Sequence, residues 1–286
     1  MTKEPKGPLS SKDVSDFVDH RDDLALELFT YRAFRSAGWW ANHGGFYRDP
    51  LQDKFRQFDV QGGRDLPKDL ARPMLSTTGM RIAAECKNLD PEAPIVVSRV
   101  PRADSESYHC LIRKTIAPDK TILDARVIRS TAGHPKPYHV GAPVGKSILR
   151  YQDNPNAKQP DDPYAQWSQA LASCATLVMQ AYADASVNPA APDLCFIIPA
   201  LVVADGCLWT VDYDEQGSRG EPRSADETTF FLGQDYAASP LYPAGHPRYH
   251  VSHLHIYTKT GFEKALQIWN NRAAPVEWER VYRCGF

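Results

Sequence analysis

The segment Arg81-Ile-Ala-Ala-Glu85-Cys-Lys87-Asn88 decides the fold that this chain is expected to adopt. It reads as an apolar strand that ends in a carboxylate and an ammonium two residues apart. Successive side chains of a β-strand point to opposite faces, so Glu85 and Lys87 share one face while the apolar residues beside them face the other layer. A buried strand therefore presents an acid and a base together.

A third polar candidate, Asp59, lies upstream of this strand. The segment Lys54-Phe-Arg-Gln-Phe-Asp59-Val-Gln predicts another short strand, with Asp59 near its end. Because Mg²⁺ is held by one or two carboxylates with waters and phosphate oxygens, Asp59 and Glu85 are candidate magnesium ligands. A nearby lysine can position the attacking water or stabilise the transition state of phosphodiester cleavage, and Lys87 is the candidate for that role.

These residues resemble the signature of the PD-(D/E)xK, or restriction-endonuclease-like, nucleases: an aspartate followed on the next strand by acid-x-lysine. The matching positions are Asp59 and Glu85-Cys86-Lys87, with Phe58 where the signature has proline. The resemblance implies an α/β protein with a restriction-endonuclease-like three-layer fold, in which helices flank a mixed central sheet. It also implies a Mg²⁺-dependent nuclease, in which Mn²⁺ can substitute, acting on DNA in restriction, repair or defence.

Many members of this superfamily add a glutamate from the preceding helix, and Glu27 is the candidate here. A helix is predicted to begin at Asp22 or Asp23 and to end at Gly38. Its apolar residues recur at helical spacing: Leu24, Leu28, Tyr31 and Phe34. Glu27 lies within this stripe, and a carboxylate turned toward a core needs a partner. The resemblance implies that Glu27 assists the metal or holds Lys87 in place.

The separation between Asp59 and Glu85 is longer than a tight hairpin needs. Residues 62–79 are rich in glycine, proline and other turn formers, which predicts an inserted loop. Asp65 and Asp69 lie in this segment and are the substitutes if Asp59 is misassigned.

The whole chain, 1–286, is predicted to form one nuclease-like domain with a core at about 20–103 and 160–271 and an insertion at about 103–160 that carries small strands. Periodicity and turn residues place the remaining elements. These are a strand at 94–100, a crossover helix from Asp162-Pro163 to Ala185, a buried strand at 194–204, a two-residue hairpin turn at Asp205-Gly206, a long loop at 215–248, a last strand at 250–257 and a helix at 261–270.

Composition indicates a soluble globular protein, with 42% hydrophobic and 24% charged residues among 286. A polar N-terminus and the absence of a long apolar run argue against export or a membrane span. The six cysteines form no Cys-x-x-Cys pair, which favours reduced thiols. A cytoplasmic location is therefore expected.

Charge is distributed unevenly. The net charge is −2, yet residues 99–150 contain ten basic residues against four acids. Such asymmetry suits a phosphate-binding surface, although a solvated basic loop explains it equally well. The candidates for contacting nucleic acid are Arg99, Arg102, Arg113 and Lys114, with Gln169 from the crossover helix. A homodimer is possible, since double-strand cutters often need one site for each strand.

Three alternatives compete with this interpretation. A catalytically silent member of the fold would bind nucleic acid or a protein partner without turnover. His253-Leu-His255 places two imidazoles on one strand face, as in a zinc hydrolase, but no third ligand stands at an obvious spacing. Gly141-Ala-Pro-Val-Gly-Lys-Ser147 is one residue short of a P-loop and follows no clear strand, so an NTPase is rejected.

Overall fold

A large mixed β-sheet with helices on both faces forms this protein in a computed structural model, which describes residues 10–21, 23–49, 54–66, 78–116, 121–129, 138–151, 163–187, 194–236 and 249–270. The predicted α/β class is confirmed. The elements are α1 (Ser11–Arg21), α2 (Leu24–Ser36), β1 (Trp40–His43), β2 (Phe46–Arg48), β3 (Phe55–Gln57), β4 (Val60–Leu66), β5 (Thr78–Lys87), β6 (Ile95–Pro101), a 3₁₀ turn (Asp104–Glu106), β7 (Tyr108–Ile116), β8 (Thr121–Arg129), β9 (Pro143–Arg150), α3 (Pro163–Val187), β10 (Leu194–Val203), β11 (Leu208–Asp212), β12 (Arg223–Ser224), β13 (Glu227–Tyr236), β14 (Tyr249–Thr258) and α4 (Lys259–Asn270).

Strand order separates a part of the sheet near the predicted site from an extension beyond it. β1, β4 and β5 pair antiparallel in that order, β10 lies parallel to β5, and β14 lies parallel to β10. The sheet then continues through β13, β9, β6, β11 and β12. β7 pairs with both β10 and β8, while β2 and β3 form a separate two-stranded hairpin.

Strand β10 shows why the sheet is covered on both faces. Ile197 and Leu201 belong to a core that includes α3, whereas Ile198 and Val202 pack in a second core with α2 and α4. A strand buried on both faces needs a continuous apolar sequence, and residues 194–203 supply one. The predicted buried strand and the crossover helix that precedes it are both confirmed.

Helix α2 carries Glu27 and lies over the sheet near β4 and β5. It follows Asp23, and Gly38, at φ 78°, closes it by donating its N–H to the Arg35 carbonyl at 3.0 Å. Both predicted ends are confirmed. The predicted apolar stripe is wrong at its first residue, because Leu24 is exposed and Leu26 is buried instead. The buried face also contains a threonine and an alanine, which apolar spacing alone does not single out.

The predicted hairpin at Asp205-Gly206 is wrong, although the turn exists. Gly206 has φ 83°, and the Cys207 N–H donates to the Ala204 carbonyl at 3.2 Å. β11 does not return along β10 but pairs with β6 and β12. The reason is that β5 and β14 already occupy both edges of β10 where it ends.

Two predicted loops contain strands. Strand β13 and the short β12 lie within 215–248, and β13 pairs with β14 over most of its length. Likewise β4 reaches Leu66 and β5 begins at Thr78, so the ends of the segment 62–79 are hairpin strands. Turn-forming residues in these segments misled the prediction, because strand pairing outweighs local propensity. The middle parts, 67–77 and 237–248, lie outside the described residues.

The predicted insertion at 103–160 carries strands, as expected, but they are not appended to the domain. β9 lies between β13 and β6, and β7 pairs with β10. These strands therefore extend the main sheet. The segment that resembles a P-loop is largely strand β9, which agrees with its rejection as a phosphate-binding loop.

Four of the six cysteines, Cys86, Cys174, Cys195 and Cys207, are free and buried, in agreement with the prediction of reduced thiols. None of the helices in the described ranges is both long enough and apolar enough to cross a bilayer.

Close packing between α2 and β4 depends on a glycine. A Cβ on Gly62 would lie 2.6 Å from ring atoms of Phe34. We expect Gly62→Ala to lower the free energy of unfolding by roughly 1–3 kcal/mol, because the ring or the helix must move. Urea unfolding measures this loss. Gly220→Ala is the control, since Gly220 is exposed and its nearest new contact is 3.3 Å away. Equal stability of the two variants would contradict the packing argument.

Candidate functional site

Glu85 and Lys87 lie at the carboxyl end of β5, on the face that carries α3. Their neighbours Ala84 and Cys86 belong to the opposite core with α2 and α4, while Ala83 packs in the core with α3. Glu85 is only 1% exposed, and its Oε1 lies 2.8 Å from Lys87 Nζ. The alternation predicted from the sequence therefore brings the acid and the base into direct contact.

Asp59 completes the acidic pair, but it occupies a different position from the one predicted. It lies between β3 and β4 rather than in the strand 54–61. Antiparallel pairing of Val60 with Ala84 places Asp59 beside the end of β5. Its Oδ2 accepts a hydrogen bond from the Cys86 N–H at 2.7 Å. Asp59 is thus bonded to the backbone between Glu85 and Lys87.

Asp23, just before helix α2, and Glu27 within it add two carboxylates, and their contacts bear on one of the two roles predicted for Glu27, that of holding Lys87. Asp23 lies 3.3 Å from Lys87 Nζ through its Oδ2, and its Oδ1 accepts the Asn88 N–H at 2.5 Å. Glu27 instead accepts a hydrogen bond from His43 Nε2 at 2.6 Å. Asp23, not Glu27, therefore holds Lys87. Glu27 still lies close enough that its charge raises the pKa of Asp59.

Burial and mutual repulsion favour the protonated forms of the central acids. Burial raises the pKa of Glu85 to about 8, and the Asp59 charge adds to the increase. Burial likewise raises the pKa of Asp59 to about 6, although the Cys86 N–H and Lys87 oppose it. For Lys87, burial lowers the pKa, but Glu85 and Asp23 outweigh it and the net direction is upward. One lysine does not compensate both carboxylates, so a further cation at this position would be favourable.

Tyr47 joins the site from the β2–β3 hairpin, and the sequence analysis missed it. Its side chain is 3% exposed and packs with Phe58 and Ala172. Its hydroxyl is buried without a hydrogen-bond partner among the described residues. Burial raises the pKa of Tyr47, and the charges of Glu85 and Asp59 contribute, which places the ring near both acids.

A sequence signal for this hairpin exists. The aromatic-rich runs around Tyr47 and Phe55 flank the turn-forming Asp49-Pro50. Two such runs around a turn predict a hairpin. Strands β1 and β2 lead into the site. Their sequence signals are weak because the strands are only four and three residues long.

The donor set fits a magnesium site better than a zinc site. Within the described ranges, no three His, Cys, Asp or Glu side chains are grouped closely enough to hold a metal ion. Mg²⁺ needs only one or two carboxylates, with waters and substrate oxygens completing its octahedral shell. Asp59 and Glu85 offer two such carboxylates, and their raised pKa values reflect an electrostatic cost that a divalent cation would offset.

The two histidines of the zinc alternative are engaged in a buried aromatic cluster. Both nitrogens of His255 lie 2.8 Å from tyrosine hydroxyls, those of Tyr138 and Tyr257. The ring of His253 stacks on Tyr138 at 3.7 Å. Burial lowers the pKa of His255 to about 3, so it is neutral. A zinc ion would have to displace a tyrosine hydroxyl from His255.

Two of the predicted nucleic-acid contacts have partners inside the protein. Arg99 makes a two-pronged ion pair with Asp212, at 2.7 and 3.1 Å. Arg102 is 4% exposed, lies over the Tyr138 ring at 5.0 Å and donates to Thr229 Oγ1 at 2.8 Å. Arg102 directly follows the end of β6, and its guanidinium is engaged by these contacts inside the protein, so a phosphate contact by Arg102 stays a prediction.

The other predicted nucleic-acid contacts remain predictions. Arg113 and Lys114 lie on β7, where they pair with positions on β8, and their side chains fall outside the described part of the structure. Gln169 lies half-buried on α3.

Comparison of the chain with protein-family models, with curated proteins and with solved structures finds no match in any of the three.

The buried carboxylate should make stability fall with rising pH. Because the folded pKa of Glu85 is about 8 against an ordinary 4.5, the folded state binds more protons between these values, so the free energy of unfolding decreases from about pH 4.5 to pH 8. Each unit of pKa shift corresponds to about 1.4 kcal/mol. In EDTA we expect Glu85→Gln to be more stable than the wild type at pH 8 and similar to it near the acid end of this window.

Urea unfolding at the two pH values checks this expectation. Glu263→Gln serves as the control, since Glu263 is an exposed carboxylate on α4 whose removal should leave the pH dependence unchanged. A wild-type protein with constant stability across the range would contradict the raised pKa of Glu85.

Proposed function

We propose that this chain is a Mg²⁺-dependent nuclease that hydrolyses phosphodiester bonds of DNA, and that its fold is restriction-endonuclease-like. One observation carries the proposal. The carboxylate of Asp59 bonds to the backbone between Glu85 and Lys87, and Lys87 pairs with Glu85. The aspartate and acid-x-lysine positions of the nuclease signature are thus neighbours in space, although Asp59 lies far from this segment in sequence.

The order of elements around these residues supports the same proposal. Helix α2 is followed by the antiparallel strands β1, β4 and β5, and α3 then leads to β10, which is parallel to β5. This is the succession of helix, strands, crossover helix and further strand that the resemblance predicts. The acids lie at the carboxyl end of β5, where a helix from each face approaches.

Asp59 and Glu85 are the residues that would hold the metal. When bound, the ion would neutralise phosphate charge and favour ionisation of the attacking water. Lys87 is held by Glu85 and Asp23, so its ammonium has a defined position from which it can orient that water or stabilise charge on the phosphate. Tyr47 adds a hydroxyl donor with no other partner among the described residues. His43 fixes Glu27 close to Asp59.

Cleavage should depend on the charge of Asp59 rather than on its hydrogen bond. Asp59→Asn keeps an acceptor for the Cys86 N–H but removes the negative charge. We expect it to lower the rate of plasmid nicking in Mg²⁺ or Mn²⁺ by at least roughly 10²-fold, the scale for losing one electrostatic group in an active site. Lys87→Ala should have a similar effect on cleavage while DNA binding is largely retained.

The control is Lys264→Ala, which removes an exposed lysine of α4 that pairs with Asp226. It should cleave like the wild type, and EDTA should stop cleavage by both proteins. Thermal unfolding of each variant separates loss of activity from loss of fold. Mg²⁺ should also raise the midpoint of unfolding of the wild type more than that of Asp59→Asn. Unchanged cleavage by Lys87→Ala, at equal folded fraction, would exclude the assignment.

Tyr47→Phe should affect protein stability and cleavage differently. The variant removes a buried hydroxyl that has no partner among the described residues, so stability should stay equal or increase by up to roughly 1–3 kcal/mol. If the hydroxyl contacts the phosphate or the attacking water, cleavage should decrease in the same protein. Denaturant unfolding and nicking rates measured on one preparation test both expectations. A variant with reduced stability and unchanged cleavage would assign Tyr47 a packing role only.

The silent alternative makes a different prediction for the same assays. Retention of DNA that weakens with salt, with no cleavage in any metal, would favour a nuclease-fold protein that binds nucleic acid without turnover.

A further inference from the structure

The β2–β3 hairpin presents two aromatic rings to solvent beside the candidate site. Phe46 and Phe55 are 73% and 78% exposed, the highest values of any large apolar side chain in the described ranges. Phe46 pairs with Gln57, and Arg48 pairs with Phe55. The two phenylalanines therefore lie on one face of the hairpin as diagonal neighbours, with Cβ atoms roughly 7–8 Å apart.

The opposite face of the hairpin explains why these rings are outside. Tyr47 packs against Phe58 and α3, and Arg56 pairs with Asp49 at 2.8 Å. Alternation along each strand then requires Phe46 and Phe55 to point away from the protein. Aromatic side chains in this position cost solubility and add nothing to the core, which indicates an external partner.

The rings are held at a fixed position relative to Asp59. The Gly44 N–H donates to the Asp59 carbonyl at 3.0 Å, and the Phe58 N–H donates to the Gly45 carbonyl at 2.9 Å. Gln57, the partner of Phe46, lies two residues before Asp59, or roughly 7 Å along an extended chain. The hairpin that carries the rings is therefore anchored through its backbone to the residue that would bind the metal.

The charge of the hairpin favours a polyanion as the partner. The sequence of the hairpin, 46–57, contains three basic residues and two acids. One of the acids, Asp49, is already paired with Arg56, and Lys54 is exposed next to Phe55. Exposed aromatic rings beside basic residues are the arrangement that binds single strands, because bases stack on the rings while phosphates meet the positive charge.

We propose that Phe46 and Phe55 form a stacking surface for unpaired bases, and that the substrate of the site is single-stranded or locally unpaired nucleic acid. The part concerning the substrate rests on the proposed nuclease function. Base faces inside a duplex are covered by their neighbours, so a duplex would meet only the basic residues. The hairpin therefore selects strands whose bases are free to turn outward.

Fluorescence anisotropy of the whole 286-residue chain in EDTA tests the binding without cleavage. The probes are a labelled oligodeoxythymidylate, the corresponding oligouridylate and a duplex of matched length. Phe46→Ala and Phe55→Ala should each weaken binding to the single strands roughly 5- to 150-fold, the loss that corresponds to one stacked base, with little change for the duplex. The two single strands distinguish DNA from RNA as the source of the bases.

Two control variants make the result specific. Phe46→Tyr with Phe55→Tyr keeps both rings and should bind single strands like the wild type. Ile268→Ala removes another exposed apolar side chain, on α4, and should have no effect. Equal binding of the alanine variants and the wild type to single strands overturns the proposal, as does an equal loss on the duplex. A change in oligomeric state of the alanine variants, measured by light scattering, would also overturn it and assign the face to self-association.

Cleavage of the same strands in Mg²⁺ separates the two proposals. If Asp59→Asn abolishes cleavage while both alanine variants bind and cleave like the wild type, the nuclease stands and the stacking surface fails. If the alanine variants lose single-strand binding but no metal supports cleavage by the wild type, the stacking surface stands and the nuclease fails. Preferred cleavage of single strands or overhangs, reduced in the alanine variants, supports both.

Discussion

The hydrogen bond from the Cys86 N–H to the Asp59 carboxylate is the contact on which the site depends. Pairing of β4 with β5 ends at Val60 and Ala84, so the Cys86 N–H lies beyond the first residue of β4. A buried amide without a partner is costly, and the Asp59 side chain satisfies it. The same bond fixes the carboxylate beside Glu85 and Lys87. One requirement of the backbone thus determines where the acidic residues meet.

In this geometry the charged groups of Glu85 and Lys87 lie at positions where burial disfavours their ionised forms. Glu85 is almost fully buried and Lys87 is partly buried, and they are stabilised by each other, by Asp23 and by little else among the described residues. Apolar residues at these positions would fit the core with α3 at lower cost, since buried ion pairs rarely gain more than they lose in desolvation. Protein stability is therefore reduced at the end of β5 in a way that packing does not require. A function for the charged group explains the cost better than a structural role does.

The sequence predicted the central strands well because their signals are local. Alternation along β5 separates Glu85 from Cys86, and a continuous apolar run identifies β10. Errors arose where distant pairing decides the outcome: β11 leaves β10 because the edges of β10 are occupied, and β13 forms in a segment dense in turn residues. The Asp23–Lys87 contact was equally beyond local patterns, since it joins residues 64 positions apart.

Segment 99–150 is rich in basic residues, but their number does not show where their side chains lie. Arg99 and Arg102 belong to β6 and its end, and strands of an extended sheet direct these side chains toward Asp212, Thr229 and Tyr138. Their guanidinium groups therefore pair with groups inside the extended part of the sheet. Under the proposed function, the β2–β3 hairpin is a further element that could hold a nucleic-acid strand, because it is directly connected to Asp59 through the backbone. Because its two faces alternate, the hairpin can offer a hydroxyl to the acids on one side and aromatic rings to the bases on the other, so the same short element would link the chemistry to the choice of substrate.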